Sequence, residues 1–121
     1  MRWLNRTVMR GVYLALCTSQ KEFDRISKHL GTEKDVWLAD NHDACVHTFE
    51  NKSKVSCVVC IELTAENPLE VASILVHEAT HVKQKMMARI GETAPSKEFE
   101  AYTMQNICQE LFTEYARRLA A

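Results

Sequence analysis

The hydrophobic residues of this chain recur with two different periods, and the change of period separates strands from helices. Short runs rich in apolar and β-branched residues predict β-strands at residues 11–17, 44–50 and 54–63. Longer runs with a helical period predict α-helices at residues 19–30, 67–90 and 96–119. From this order we expect an α+β domain with a small, mostly antiparallel sheet packed on the last two helices.

The middle of the chain predicts a β-hairpin. Asn51, Lys52 and Ser53 separate the second and third predicted strands, which is typical of a three-residue turn. Alternation in the later strand places two sets of side chains on opposite faces, Val55, Cys57, Val59 and Ile61 against Ser56, Val58, Cys60 and Glu62. Residues 32–43 are rich in turn formers and predict a loop with room for one short strand.

The helix predicted at residues 67–90 carries the strongest local signals. Asn67 is a good N-cap, Pro68 fits the first helical position, and Gly91 is a natural C-terminal stop. One arc of the helical wheel is apolar and predicts the face toward the core, formed by Val71, Leu75, Ala79, Val82 and Met86.

His77, Glu78 and His81 lie inside this helix with the H-E-x-x-H spacing of zinc hydrolases. Residues four apart share one face of a helix, with β-carbons about 5–6 Å apart, so two imidazoles can bind one metal ion. Glu78 lies beside them on the apolar arc, where a carboxylate can act as a general base without binding the metal. The histidines are at the margin of that arc, which predicts a half-open site suited to catalysis.

A catalytic zinc usually has a third protein ligand, and the last predicted helix offers carboxylates for it. Glu100 begins a row of inward-facing residues, whereas Glu98 begins a more polar row. An inward carboxylate without a basic neighbour in sequence needs a partner, and a metal ion is a good one. We therefore predict Glu100 as the third ligand, with Glu98 as the alternative.

The H-E-x-x-H motif, followed by eighteen residues and then Glu100, resembles the gluzincin pattern of zinc metallopeptidases. The stretch from Val76 to Tyr115 also resembles small phage-encoded proteins of the H-E-x-x-H metallopeptidase class. The resemblance implies a minimal zincin-like domain in which His77, His81 and Glu100 bind zinc. It implies that Glu78 is the catalytic base, and that the strand at 55–63 is the edge along which a peptide substrate adds.

The chain also departs from that family. The Asn-Glu-x-x-x-Asp context of thermolysin-like enzymes is absent, because Ala-Tyr-Thr-Met follows Glu100. The second half that would supply an oxyanion-stabilising side chain is also missing, which leaves Tyr102, His47 and Tyr115 as candidates for that role.

Two other uses of metal are weaker. Cys45, His47, Cys57 and Cys60 are the right residue types for a structural zinc site, but Cys57 and Cys60 are three apart in a predicted strand and so face opposite sides. Buried, inert thiols are the preferred interpretation. A deformylase-like site with an upstream cysteine ligand lacks the glycine-cysteine-leucine-serine stretch that it would need.

The composition limits the classes of partner. The 121 residues fit a single domain, and 15 basic and 16 acidic residues give a net charge of −1, so nothing indicates nucleic acid or an anionic membrane as a partner. Five cysteines cannot all pair, which predicts reduced thiols in a cytoplasmic protein. The apolar run Val12 to Cys17 is short for a secretory signal, and we predict a strand there.

The sequence therefore predicts a zinc metallopeptidase acting on a peptide or protein substrate, inside a bacterial host if the phage resemblance holds. The alternative is a binding or regulatory module that zinc stabilises and that retains H-E-x-x-H without catalysis.

Overall fold

The computed structural model describes residues 3–4, 12–33, 35–51 and 54–121. Its elements follow the predicted order, with one short strand added near the N-terminus: β1 Trp3–Leu4, β2 Val12–Cys17, α1 Gln20–Leu30, β3 Ala44–Asn51, β4 Lys54–Ile61, α2 Pro68–Arg89 and α3 Lys97–Ala120. The α+β class is confirmed. Gly11, Lys52 and Ser53, which belong to the predicted first strand and the predicted turn, lie outside the described residues.

The four strands form one mixed sheet in the order β1-β2-β4-β3. The β1–β2 and β3–β4 pairs are antiparallel, and the β2–β4 pair is parallel. Strand β4, which precedes the helix that carries H-E-x-x-H, therefore lies inside the sheet, and the prediction that it is the edge to which a substrate adds is wrong. Seven of the eight residues of β4 are buried, as expected for a strand covered on both faces, whereas β3 is only partly buried and lies at the edge.

Helices cover both faces of the sheet. Helices α2 and α3 pack on the face that carries Val55, Cys57 and Val59, and the predicted apolar arc of α2 lies wholly within this core. Helix α1 packs Phe23 and Ile26 on the opposite face. The alternation predicted for β4 is thus confirmed, with Val58 and Cys60 on the α1 side.

Local signals account for the ends of the helices. Helix α1 begins after Ser19, whose hydroxyl accepts a hydrogen bond from the Glu22 amide at 3.1 Å, and it ends at Gly31 with a φ of 71°. Helix α2 begins after Asn67, as predicted, but Asn67 has a left-handed backbone with a φ of 51° and its side chain makes no capping hydrogen bond. None of the helices in the described part of the chain is long and apolar enough to cross a membrane.

The C-terminal half of α3 is tied to the start of the chain by a buried carboxylate. Glu114 is 1% exposed and accepts hydrogen bonds from Arg117 Nε at 2.8 Å and Arg118 Nε at 3.0 Å. Arg118 also donates to the Leu16 carbonyl oxygen at 3.0 Å and to Glu22 at 3.1 Å. Glu114 therefore orients the guanidinium that connects α3 to β2 and α1.

Candidate metal sites on the two faces of the sheet

The two histidines of the H-E-x-x-H motif meet on the exposed flank of α2. Their Nε2 atoms are 3.3 Å apart. A tetrahedral zinc ion with Zn–N distances of about 2.0–2.1 Å holds two nitrogens about 3.3–3.4 Å apart. His81 Nδ1 also lies 3.1 Å from Gln84 Oε1, and this oxygen can only accept, so the lone pair of a neutral His81 is on Nε2. The pair thus has the separation that one metal ion requires.

Glu78 lies beside the histidines and is 5% exposed, as its predicted position on the apolar arc requires. Burial raises the pKa of its carboxyl group, and the neighbouring His77 and His81 partly oppose this effect. Only a small part of this side chain reaches solvent, and that part opens into the groove that His77 and His81 also line.

That groove has a volume of about 760 Å³ and separates α2 from the edge strand β3. Ala44, Val46 and Thr48 line the strand side, and the two histidines and Glu78 line the helix side. The loop before β3 forms one end, where Asn41 has a φ of 70°. Its neighbour His42 lines the groove, and its charge also acts on the Glu78 carboxyl group.

Glu100 is not brought to the histidine pair. Its carboxylate lies 3.5 Å from Lys83 Nζ, and its side chain is 47% exposed. Lys83 follows His81 by two residues, which is about 200° around the helix, so α3 packs on the other flank of α2. The burial of Ile107 and Leu111 confirms the inward-facing row that Glu100 begins. The partner of the Glu100 carboxylate, however, is Lys83 of α2, whereas we had predicted a metal ion.

The predicted oxyanion-stabilising residues have other surroundings. The Tyr115 hydroxyl accepts from the Thr64 amide at 2.9 Å and lies 3.1 Å from the Glu62 carbonyl oxygen, so it fixes the loop before α2. Tyr102 is 65% exposed on α3. His47 packs against Phe23 on the α1 side of the sheet, with ring centroids 4.5 Å apart. Within the described residues, none of the three lines the groove.

The donor atoms of Cys45, His47 and Cys60 form a second cluster, on the α1 face of the sheet. They all lie within 4.8 Å of one another, and this group can hold a metal ion. Cys45 is the register partner of Cys60, and His47 follows on the same face of β3. Cys57 points into the core on the other face, as predicted. The prediction that Cys57 and Cys60 face opposite sides is confirmed, but the grouping of Cys45, His47 and Cys60 without Cys57 was not predicted.

Hydrogen bonds polarise the thiols of this cluster. The pKa of Cys45 is lowered, chiefly by hydrogen bonding with Cys60 and then with His47, while the pKa of Cys60 is raised because it faces both Cys17 and Cys45. The pKa of His47 is raised by its hydrogen bond with Cys45. Cys45 is therefore the more acidic thiol of the pair.

Comparison of the chain with known protein families, with curated proteins and with solved structures finds no match. The family resemblance of the motif therefore stays a prediction, and the chemical interpretation of both clusters rests on their geometry.

Proposed function

We propose that this protein is a zinc-dependent peptidase whose metal is held by His77 and His81 in the groove between α2 and β3. The observation that carries the proposal is the 3.3 Å separation of the two Nε2 atoms, with Glu78 beside them. A helix alone brings such side chains near each other. Here the pair also opens into a groove of about 760 Å³, which is in the size range of ligand-binding clefts.

We assign the third ligand to His42 in place of Glu100. His42 lines the same groove as the two histidines, whereas the Glu100 carboxylate pairs with Lys83 on the other flank of α2. Three imidazoles with an open fourth position are a known ligand set for catalytic zinc. His42 also lies in an exposed loop, and closure of this loop onto α2 would bring its imidazole to the pair.

A zinc ion held there supplies Lewis-acid activation of water and of a carbonyl group. Glu78 acts as the general base and then as the general acid. Its carboxylate accepts a proton from the attacking water and returns it to the nitrogen of the leaving amine, so that one water is consumed for each peptide bond cleaved. Burial leaves only the groove-facing part of the Glu78 side chain to contact water.

The groove suits an extended peptide. Strand β3 is at the edge of the sheet, pairs with β4 on one side, and contributes Ala44, Val46 and Thr48 to the groove. Backbone N–H and C=O groups on such an edge can bind a peptide as an added strand. We therefore expect the peptide to add to strand β3, Ala44–Asn51, and not to residues 55–63 as the family resemblance implied. All five cysteines are free thiols, which supports a reducing compartment such as the cytoplasm.

Zinc content tests the metal part of the proposal. We expect elemental mass spectrometry to find one zinc fewer per chain in His81→Ala than in the wild type, and the same loss in His42→Ala. Glu100→Ala is the matched control and should keep the wild-type zinc content. Loss of zinc in Glu100→Ala but not in His42→Ala would restore the ligand set predicted from the sequence.

Glu78→Gln tests the catalytic part. Since the amide cannot accept the proton of water, this variant should keep its zinc and lose at least about 100-fold in cleavage rate. Cleavage is followed by mass spectrometry on a mixed peptide library. A variant as active as the wild type would refute the mechanism. A wild-type protein that binds zinc in the groove but cleaves no peptide would indicate the alternative, a zinc-stabilised binding module.

A further inference from the structure

A row of cysteines crosses the α1 face of the sheet. Cys60 on the central strand β4 is the register partner of Cys17 on β2 and of Cys45 on β3. Cys17 and Cys60 are fully buried, whereas Cys45 and His47 on the edge strand are half-buried. Cys45 also borders the groove from the edge strand, but its thiol is grouped with Cys60 and His47. None of the side chains assigned to the site proposed above belongs to this row.

We propose that Cys45, His47 and Cys60 form a second zinc site, which joins the edge strand β3 to the centre of the sheet. This proposal does not depend on the peptidase function. Two thiolates and one imidazole form a donor set that favours zinc. Magnesium and calcium prefer oxygen ligands and are not expected to bind there.

The distances require little rearrangement. The three donor atoms lie within 4.8 Å of one another. Around a tetrahedral zinc with Zn–S distances of about 2.3 Å, two sulfurs lie about 3.8 Å apart. Contraction by no more than about 1 Å brings the donors to that separation, which side-chain rotation at Cys45 and His47 can supply. Binding releases the thiol protons to solvent, with no change in oxidation state.

His47 is oriented as metal-binding histidines usually are. Its Nε2 lies 2.8 Å from the Trp37 carbonyl oxygen, and a carbonyl oxygen can only accept a hydrogen bond. Nε2 therefore carries the proton, and the lone pair of the neutral ring is on Nδ1. A backbone carbonyl that holds the non-binding N–H of a ligand histidine is a frequent feature of metal sites.

We assign the fourth position to a solvent molecule. Cys17 lies on the far side of Cys60 from Cys45, and its thiol donates to the Ser19 carbonyl oxygen at 3.3 Å. The half-buried Cys45 and His47 leave the outer side of the cluster accessible to water. The site thus differs from closed structural sites with four protein ligands.

Zinc bound to Cys45, His47 and Cys60 would also affect the groove on the α2 face of the sheet. The Trp37 carbonyl accepts from His47, and this hydrogen bond is kept when a metal ion binds, whereas the one from the Cys45 thiol at 3.2 Å is lost with the thiol proton. A metal ion on these side chains fixes β3 together with the loop that leads into it. The same loop contains His42, which lines the groove. We therefore expect zinc at this site to stabilise the wall of the groove and to raise the melting temperature.

Cobalt substitution separates the two sites, because only thiolate ligands give an intense near-ultraviolet charge-transfer absorption. The full chain, kept reduced, is titrated with Co²⁺ and then with Zn²⁺. We expect this absorption in the wild type and in a His77→Ala/His81→Ala variant, followed by its loss when zinc displaces cobalt. Cys45→Ser should lack it. Cys108→Ser, a half-buried cysteine of α3 outside the cluster, is the matched control and should keep it.

A second measurement uses the wild-type protein alone and so does not depend on a variant folding. Zinc should slow alkylation of Cys45, read by peptide mass spectrometry, at least about tenfold, because a bound thiolate is protected. The rate at Cys108 should not change. An unchanged rate at Cys45, or a thiolate absorption that persists in Cys45→Ser, would overturn the proposal. Failure of the peptidase tests with both of these results intact would leave this site established.

Discussion

The buried carboxylate of Glu114 gives a prediction whose size follows from the structure. Hydrogen bonds from Arg117 first, and then from Arg118, lower its pKa from 4.5 to about 2. One pKa unit corresponds to about 1.4 kcal/mol, so the ion pairs stabilise the folded state by up to about 3 kcal/mol. Arg117 is 47% exposed, and solvent screening reduces this figure, so we expect about 2 kcal/mol.

The sign of the pH dependence follows from the direction of the shift. A carboxyl group whose pKa is lower in the folded state stabilises the protein fully above the unfolded value of 4.5. The stabilisation is then lost as the pH falls from 4.5 toward about 2, because the folded state must take up the proton that the unfolded state already holds.

Glu114→Gln removes the charge with little change in shape. We expect this variant to lose about 2 kcal/mol in free energy of unfolding at pH 7, and its melting temperature to fall by roughly 5–10 °C. Urea denaturation followed by circular dichroism at pH 7, 4.5 and 3 measures the effect. The difference between wild type and variant should shrink as the pH falls. Glu92→Gln, at an exposed turn, is the control and should change little.

A difference between Glu114→Gln and wild type that stays constant from pH 7 to pH 3 would refute the electrostatic explanation. It would mean that the variant disturbs packing around α3 and that the ion pairs contribute little.

Three further substitutions test the packing that positions the groove. Tyr115→Phe removes the hydroxyl that accepts from the Thr64 amide, and we expect a loss of about 1–2 kcal/mol in urea denaturation, with faster amide exchange at Thr64. Leu75→Ala removes a side chain that is 2% exposed on the core face of α2, and the free energy of unfolding should fall by about 2–5 kcal/mol. Gly31→Ala meets no neighbouring atoms but forces a φ of 71° on alanine, so its melting temperature should fall by an amount equivalent to about 1 kcal/mol.

Local patterns were sufficient for the elements and for the histidine pair. The period of the apolar residues predicted α2 and its buried arc, and the spacing of His77 and His81 required their imidazoles to share one face. The same local geometry predicted that Cys57 and Cys60 face opposite sides of β4. Each of these results depends only on residues a few positions apart, whose relative placement a regular helix or strand already fixes.

Contacts between distant residues were decided by the tertiary structure. The sequence did not determine that β4 is central and β3 the edge, because strand order depends on how whole elements pack. Nor did the sequence determine on which flank of α2 helix α3 packs, and this packing places Glu100 beside Lys83. Cys45, His47 and Cys60 meet only because β3 and β4 pair in one particular register. A helix or strand fixes which residues share its own face, but the neighbour that each face meets is fixed by packing across the whole chain.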